Sequence, residues 1–181
     1  MFLTKNSTKD FQFLLNRLES RMNGWKSKSL SWADRYTMIK SVAQALPTYT
    51  MSTFELQSTI YDKLGATVRR FCWNPTKPTG KYLAWKSWDY LCNPKSKGGL
   101  GFKKAKNFNT ALLAKLAWMV ATKRDSMCMQ ILRRKYKIRG DWLLKGLAKN
   151  ASPVWKAKER AKKIIVKCVC YLVGDGSLIN V

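Results

Sequence analysis

The positive charge of this chain constrains it more than any other feature of its sequence. Its 181 residues include 35 Lys and Arg but only 10 Asp and Glu, which gives a formal net charge of +25 at pH 7. Soluble domains usually carry a net charge of roughly 2 to 8 in magnitude. Because self-repulsion of this size opposes a compact fold, the sequence predicts a polyanionic partner. Nucleic acid matches best, and an anionic membrane surface is the weaker alternative.

The rest of the composition is that of a folded protein. Hydrophobic residues make up 46% of the chain and include 8 Trp, enough apolar surface to offset the conformational entropy lost on folding. The five cysteines show no C-x-x-C spacing, which is typical of reduced cysteines in a core. No signal-peptide pattern opens the chain, and the apolar stretch 111–121 is too short to cross a bilayer. We therefore expect an intracellular protein, nuclear or cytoplasmic and not secreted.

Apolar residues recur at steps of three and four along much of the chain, which predicts a mostly α-helical fold. The first apolar stripe runs from Phe11 to Met22 and is expected to end at Asn23-Gly24. A second helix should start at Ser31, with Asp34 in its first turn, and end before Pro47. Further helices are expected at 58–71, 109–121, 126–136 and 153–167.

A segment with two prolines and a glycine, 74–80, is the clearest boundary in the chain. It predicts a helical bundle at 1–74 and a smaller helical region at 75–181. Short strands are an alternative to irregular structure at 81–91, which is rich in aromatic residues, and at 166–173, which alternates weakly.

The residues that carry most enzyme chemistry are missing. Two-metal polymerase or nuclease chemistry needs paired carboxylates, and the acids of this chain form no D-D or D-x-D pair. The chain has no His, which excludes Ser–His and Cys–His catalysis and mixed Cys/His zinc sites. Asp34 and Asp62 suit helix caps or solvated faces, and Asp175 suits a turn. The sequence therefore predicts no active site, no metal site and no cofactor in this chain.

Basic residues gather where acids are scarce. The loop Gly98–Gly101 can cradle a phosphate or form a plain turn, and the turn is favoured because the Walker spacing is missing. Two later basic clusters follow, one with Arg133, Arg134, Lys135, Lys137 and Arg139 and one within 156–163. Ordinary solvated helix faces mix both signs, whereas Glu159 is the only acid in either cluster, so phosphate contact is favoured there. The candidate contacts are Lys26, Lys28, Lys95, Lys97, Lys103, Lys104, Lys106, Arg133, Arg134 and Lys135, and a second cluster holds Lys156, Lys158, Arg160, Lys162 and Lys163.

Three tryptophans, Trp25, Trp85 and Trp88, lie near lysines in the sequence. Indole rings beside cations can stack on unpaired bases. Core packing is the favoured alternative for all three.

A collinear series of short motifs resembles one known family. It comprises Leu18–Trp25, Leu30-Ser31 with Arg35, Ile39–Val42, Leu46-Pro47-x-Tyr49, Phe71-Cys72-Trp73, Trp85, Cys92–Lys95, Gly98–Gly101, Asn109–Lys115 with Trp118, Lys135-Tyr136, Ser152–Trp155 and Val173–Gly176. Over about residues 10–181 this order resembles the thumb and connection region of plant LINE-type, non-LTR retrotransposon reverse transcriptases.

The resemblance implies a function and also what lies elsewhere. In the family a palm with metal-binding aspartates precedes this region, so Mg²⁺ is expected only in the palm. A thumb grips the template–primer duplex by its backbone, and by this similarity Lys28, Arg35 and Lys40 are the expected thumb contacts. We therefore expect a thumb-like bundle and a connection region that together form a non-catalytic, sequence-tolerant nucleic-acid-binding fragment of an RNA-directed DNA polymerase. Its partners would be RNA, DNA or hybrid duplex and a palm, with no membrane partner.

Three alternatives stay open. The chain can be a non-enzymatic interaction module whose apolar faces dock on a polymerase palm. It can also be an active polymerase subunit that assembles in trans with a separate palm. Departures from the family pattern, such as Asp34 before Arg35 and Cys128 where Trp is usual, fit a degenerate retrotransposon remnant with no retained function.

Overall fold

The computed structural model describes residues 10–26, 29–74, 80–122, 126–138, 142–143 and 151–168, and it confirms the mostly α-helical fold. The α-helices of these residues are α1 (Gln12–Lys26), α2 (Trp32–Met38), α3 (Thr48–Thr53), α4 (Ser58–Trp73), α5 (Trp88–Cys92), α6 (Ala105–Ala121), α7 (Met127–Lys135) and α8 (Pro153–Cys168). A π-helix (Ile39–Ala43) follows α2, and a 3₁₀ turn (Lys95–Lys97) follows α5.

Neither predicted strand is found in the described residues. Segment 81–87 is irregular until α5 begins, and residues 166–168 are the end of α8. Residues 169–173 of the second predicted strand lie outside the described residues.

The chain forms two compact units, residues 1–113 and 114–181, and the boundary between them falls within α6. The division predicted after residue 74 lies inside the first unit. Leu91 of α5 and Phe102 belong to the same core as the buried residues of α1 and α4. The second unit has its own core, built around Ala117, Val120, Met129, Trp142, Trp155 and Ile165.

The first helix extends past its predicted stop at Asn23-Gly24, so that prediction was wrong. α1 continues to Lys26 because its last turn is held by tertiary packing. The ring of Trp25 lies 5.6 Å from the ring of Phe71 in α4, where the two are tilted against each other. A glycine inside a helix costs about 1 kcal/mol relative to alanine, which burial of part of an indole offsets.

The second predicted helix begins at the expected place but is not continuous. Ser31 forms a capping box, in which its hydroxyl accepts from the Asp34 amide at 3.2 Å and its own amide donates to the Asp34 carboxylate at 3.0 Å. After Met38 the backbone continues as the π-helix, with the Gln44 amide donating to the Ile39 carbonyl at 2.9 Å. Pro47 then caps α3, a helix that the sequence pattern did not predict.

A buried asparagine holds α6 against the first unit. Asn109 is 0% exposed, and its side-chain oxygen accepts from the Leu56 amide at 3.0 Å and from the Tyr61 hydroxyl at 2.6 Å. Its amide nitrogen donates to the carbonyls of Met51 and Phe54. Helix α6 therefore starts at Ala105, four residues before the predicted start, and Asn109 lies inside it rather than near its cap.

The second unit packs aromatic rings between α7 and α8. The ring of Tyr136 stacks on Trp155 with centroids 4.3 Å apart, and Trp142 lies 5.5 Å from the same indole. Helix α7 begins after Ser126, whose hydroxyl accepts from the Met129 amide, and both α7 and α8 match their predicted ranges within one residue.

The prediction that the cysteines lie in a core holds for only some of them. Cys72 is buried and Cys92 half-buried, and burial raises the pKa of the Cys72 thiol to about 11. Cys128 and Cys168 are free and exposed, so for these two the prediction was wrong, and Cys170 lies outside the described residues. An apolar neighbour in sequence does not bury a residue whose helix turns it toward solvent.

Candidate nucleic-acid interface

Lysines from three segments surround Phe102 in the first unit. The ring of Phe102 lies 5.6 Å from the ring of Tyr36, and the Nζ atom of Lys95 lies 5.8 Å from the Tyr36 ring centroid, which brings segments 36–40, 95–97 and 101–106 together. Every lysine in these segments has an exposed side chain. We call this set the lysine surface, and its members are Lys40, Lys95, Lys97, Lys103, Lys104 and Lys106.

Two members of the lysine surface converge on Tyr36. The Nζ atom of Lys40 lies 5.1 Å from the Tyr36 ring centroid, and the Nζ atom of Lys95 lies 5.8 Å from it. A hydrogen bond from Lys40 lowers the pKa of the Tyr36 phenol, burial acts in the opposite direction, and the positive charges of Lys40 and Lys95 lower it further. The Tyr36 side chain is therefore the meeting point of two cations that are distant in sequence.

The glycine-rich loop 98–101 is a packed turn and not a phosphate cradle. Its amides are used internally: Gly98 donates to Lys95, Gly99 to Pro94, Leu100 to Leu91 and Gly101 to Asn93. Gly98 and Gly101 adopt positive φ angles of 76° and 66°, which only glycine reaches easily. The turn that the sequence favoured is the one found, and any phosphate here must be bound by side chains.

Two further lysines border a shallow cleft of about 540 Å³ beside Phe102. The Nζ atom of Lys103 lies 4.2 Å above the ring of Phe108. Lys104 forms an ion pair with Asp89 at 2.7 Å, and this hydrogen-bonded partner raises the pKa of Lys104. Lys104 therefore brings less uncompensated charge to the lysine surface than Lys103 does.

Arg35, an expected thumb contact, is engaged within the protein. Its guanidinium donates to the Cys72 carbonyl at 2.7 Å, near the end of α4, and lies 4.6 Å from the Trp32 ring centroid. Trp32 in turn meets Trp73 edge-on at 4.9 Å. Arginine donors at the end of a helix satisfy carbonyls that lack intrahelical partners. This geometry links α2 to α4 and gives Arg35 a structural role.

The basic cluster at α7 contains both a cation that bonds within the protein and cations that are exposed. Arg133 donates from Nε to the Val120 carbonyl and from a terminal nitrogen to the Met119 carbonyl, both at 3.3 Å, at the end of α6. Arg134 and Lys135 are exposed. Within α7 the cluster thus has two exposed cations and one that donates to backbone carbonyls, and Lys137, just past the helix, is also exposed.

The second cluster, on α8, is not a continuous cationic face. Lys158 and Lys162 are only 4% and 6% exposed, and burial lowers the pKa of both. The Lys162 ammonium donates to the Trp142 carbonyl at 2.9 Å and lies 5.0 Å from that indole. The prediction of phosphate contact was therefore wrong for these two lysines. The exposed cations of this cluster are Arg160 and Lys163.

The remaining candidates are two lysines, Lys26 and Lys28, and the three tryptophans proposed to stack on bases. The Lys26 side chain and all of Lys28 lie outside the described residues. Trp25 and Trp88 pack on Phe71 and Phe102, as core packing predicted. Trp85 is 79% exposed, so the favoured prediction of core packing was wrong for this residue, and its ring is accessible for stacking.

Two kinds of element are absent from the described residues, a metal-binding cluster and a membrane-spanning helix. No three His, Cys, Asp or Glu side chains among them gather where they could hold a metal ion. No helix in the described ranges is long and apolar enough to cross a bilayer. What the fold and the site define is a basic helical protein with lysines grouped on ordered elements.

Two curated plant proteins are similar to this chain. One, from Arabidopsis thaliana, is described as a "putative ribonuclease H protein" and is 36% identical over 185 residues, which cover 98% of this chain and 29% of the relative. The other, an uncharacterized mitochondrial protein of the same plant, is 29% identical over 133 residues, or 73% of this chain and 86% of the relative. The chain therefore spans about three tenths of the first relative's length.

No protein-family model matches the sequence. No solved structure matches the fold. The similarity to plant proteins nevertheless extends over nearly the whole chain.

Proposed function

We propose that this chain binds nucleic-acid duplex through its phosphate backbone, as a non-catalytic part of a plant retroelement polyprotein. The observation that carries the proposal is the lysine surface. All six of its lysines are exposed, and five of them, all except Lys104, form no ion pair with a carboxylate in the described part of the chain. Lysine contacts to phosphate give affinity without sequence information, so binding should be sequence-tolerant.

The relatives support the retroelement origin. The first relative's name refers to ribonuclease H, and this chain matches a segment that is 29% of its length. A ribonuclease H domain is found downstream of the connection region in some members of the family that the motif series resembles. The parent protein would then be an RNA-directed DNA polymerase, with Mg²⁺ held by a palm outside this segment, in the nucleus or cytoplasm.

Salt dependence of binding tests the proposal. Fluorescence anisotropy should be measured with labelled DNA duplexes of two unrelated sequences and with one RNA–DNA hybrid, across a series of NaCl concentrations. The logarithm of the binding constant should fall linearly with the logarithm of salt, by a slope of about 0.9 for each phosphate neutralised on DNA. The two DNA sequences should bind within about threefold of each other, since phosphate contacts carry no direct sequence information.

A folded, monodisperse chain that ignores all three duplexes at low salt would contradict the proposal. So would binding that is insensitive to salt. A preference for one DNA sequence by a large factor would show that bases and not phosphates dominate recognition.

A second candidate function rests on exposed apolar side chains. Tyr49 is 85% exposed, Trp85 is 79% exposed and Leu83 is 76% exposed in the first unit. Large exposed apolar groups are typical of docking surfaces. On this alternative the chain is a module that docks on a polymerase palm. Size-exclusion chromatography with light scattering separates the two: a docking module without its partner self-associates in a salt-insensitive way, whereas the nucleic-acid binder stays monomeric.

A further inference from the structure

We infer that Lys40 and Lys95 bind one and the same phosphate group, in a notch formed by these two lysines with Tyr36 and Gly101. This inference rests on the proposed function and assigns one phosphate-binding site to the lysine surface. We call the four residues the Tyr36 notch.

The first support is the convergence of two cations from separate elements. Lys40 lies in the π-helix and Lys95 in the 3₁₀ turn, yet both ammonium groups lie within 6 Å of the centroid of a single phenol ring. Single turns of π-helix are rare and frequently occur at functional sites. Two like charges held around one side chain repel each other, and an anion between them removes the repulsion.

The second support is that nothing in the described part of the chain neutralises the pair. Neither Lys40 nor Lys95 forms an ion pair with a carboxylate there. Lys104 of the same surface, by contrast, has Asp89 at 2.7 Å. The hydrogen bond from Lys40 and, to a smaller extent, the positive charges of Lys40 and Lys95 lower the pKa of the Tyr36 phenol, as expected for a group beside both cations.

The third support is a rigid frame. The Tyr36 ring packs on Phe102, and Phe102 stacks on Trp88, so these two aromatic side chains restrain the position of the phenol. The loop beside it is fixed by its internal hydrogen bonds, which include the Gly101 amide to the Asn93 carbonyl at 2.8 Å. A Cβ atom at Gly101 would lie 3.5 Å from the Lys40 Nζ atom, an ordinary van der Waals contact, so the Lys40 ammonium lies directly beside this loop.

The chemistry fits a phosphodiester. Its oxygens can accept hydrogen bonds from two ammonium groups at once, and such charge-assisted bonds are roughly twice as strong as neutral ones. The Tyr36 hydroxyl lies beside both ammonium groups and can donate a hydrogen bond to a phosphate oxygen. The loop amides already donate to carbonyls within the protein, so only side chains are available to bind the phosphate.

A double-mutant cycle on the full chain tests the shared seat. The variants are Lys40→Ala, Lys95→Ala and the double variant, and the matched control is Lys63→Ala with Lys81→Ala, two exposed lysines outside the notch. The probe is the short DNA duplex used above. If both lysines bind one phosphate, either single change weakens binding roughly tenfold. The second change then weakens binding by less than about a further threefold, because the first has already abolished the shared contact.

The salt slope gives an independent reading of the same cycle. The double variant should lose about 0.9 from the magnitude of the slope, the value for one phosphate, whereas two separate contacts would lose about 1.8. The control pair, which removes the same charge, should change affinity by less than about threefold. Tyr36→Phe keeps the ring and removes the hydroxyl, and it should weaken binding about threefold with an unchanged melting temperature.

Two results would overturn the inference while leaving the proposed function standing. One is additive losses with a slope change near 1.8. The other is a double variant that binds like the control pair. Absence of any salt-dependent binding by the unaltered chain would instead contradict the proposed function itself.

Discussion

At the scale of single residues, Asn109 shows how one polar side chain can determine the position of a helix. Its amide bonds to two carbonyls, an amide and a hydroxyl that come from α3, α4 and the segment between them. Removing the side chain would take a hydrogen-bond partner from each of these groups, which lie in buried or partly buried places. A buried group without a partner costs about 1 to 3 kcal/mol.

We predict that Asn109→Leu, which nearly conserves volume, lowers the free energy of unfolding by about 3 kcal/mol or more. Urea titration followed by tryptophan fluorescence would measure it. Asn107→Ala is the matched control on the same helix, because Asn107 is exposed, and it should change stability by less than about 0.5 kcal/mol. A loss below about 1 kcal/mol for the leucine variant would show that water replaces the lost partners.

Cations of the same residue type have different roles in this chain. Arg35 and Arg133 donate to carbonyls at the ends of α4 and α6, and Lys162 donates to Trp142 in the second unit. Lys40 and Lys95 remain exposed. A count of basic residues therefore overstates the charge that is available to a ligand.

At the scale of elements, the loop between the 3₁₀ turn and Phe102 is determined by its glycines. A Cβ atom at Gly99 would lie 2.1 Å from the carbonyl oxygen of Asn93. That oxygen cannot easily move, because it accepts the Gly101 amide at 2.8 Å. A Cβ atom at Gly65, within α4, would have no neighbouring atom within 4 Å.

These two glycines should respond in opposite directions to the same change. Gly99→Ala should lower the free energy of unfolding by about 2 to 4 kcal/mol because the loop must open. Gly65→Ala should raise it by about 0.5 to 1 kcal/mol, since alanine favours the helix and restricts the unfolded chain. Chemical denaturation of both variants gives the comparison. Equal effects would mean that the loop tolerates a side chain and does not hold segment 101–106 in place.

Helix boundaries were predictable where local signals acted alone. The Ser31 capping box and the ends of α7 and α8 follow from short sequence patterns. The end of α1, the π-helix after Met38 and the start of α6 did not follow from such patterns. Trp25 near the end of α1 and Asn109 within α6 both contact other elements, and these contacts are not visible in local sequence.

At the scale of the whole molecule, the net charge of +25 acts on stability as well as on binding. Repulsion between exposed cations extends over a Debye length, which is about 30 Å at 0.01 M salt and about 8 Å at 0.15 M. Raising the salt concentration should therefore relieve repulsion in the folded state more than in the expanded unfolded state.

We predict that the melting temperature rises by several degrees between about 0.01 M and 0.15 M NaCl, measured by circular dichroism without nucleic acid. Lys63→Glu with Lys81→Glu lowers the net charge by four at two exposed sites and should flatten this rise. A melting temperature that falls with added salt would mean that attractive ion pairs outweigh repulsion.

Much of the architecture was determined locally. Apolar spacing and helix caps, which act within a few residues, predicted the helical class and the ranges of α4, α7 and α8. The charge count predicted the cationic character. The candidate site was predicted only as a set of lysines. Their number and segments were apparent, but which lysines are free was not.

Tertiary structure alone decided three things: the convergence of Lys40 and Lys95 on Tyr36, the role of Asn109, and the burial of Lys158 and Lys162. The physical reason is the same in each case. Spacing within one helix determines which face is apolar, but the group that meets that face comes from a distant segment, and only packing determines which segment that is.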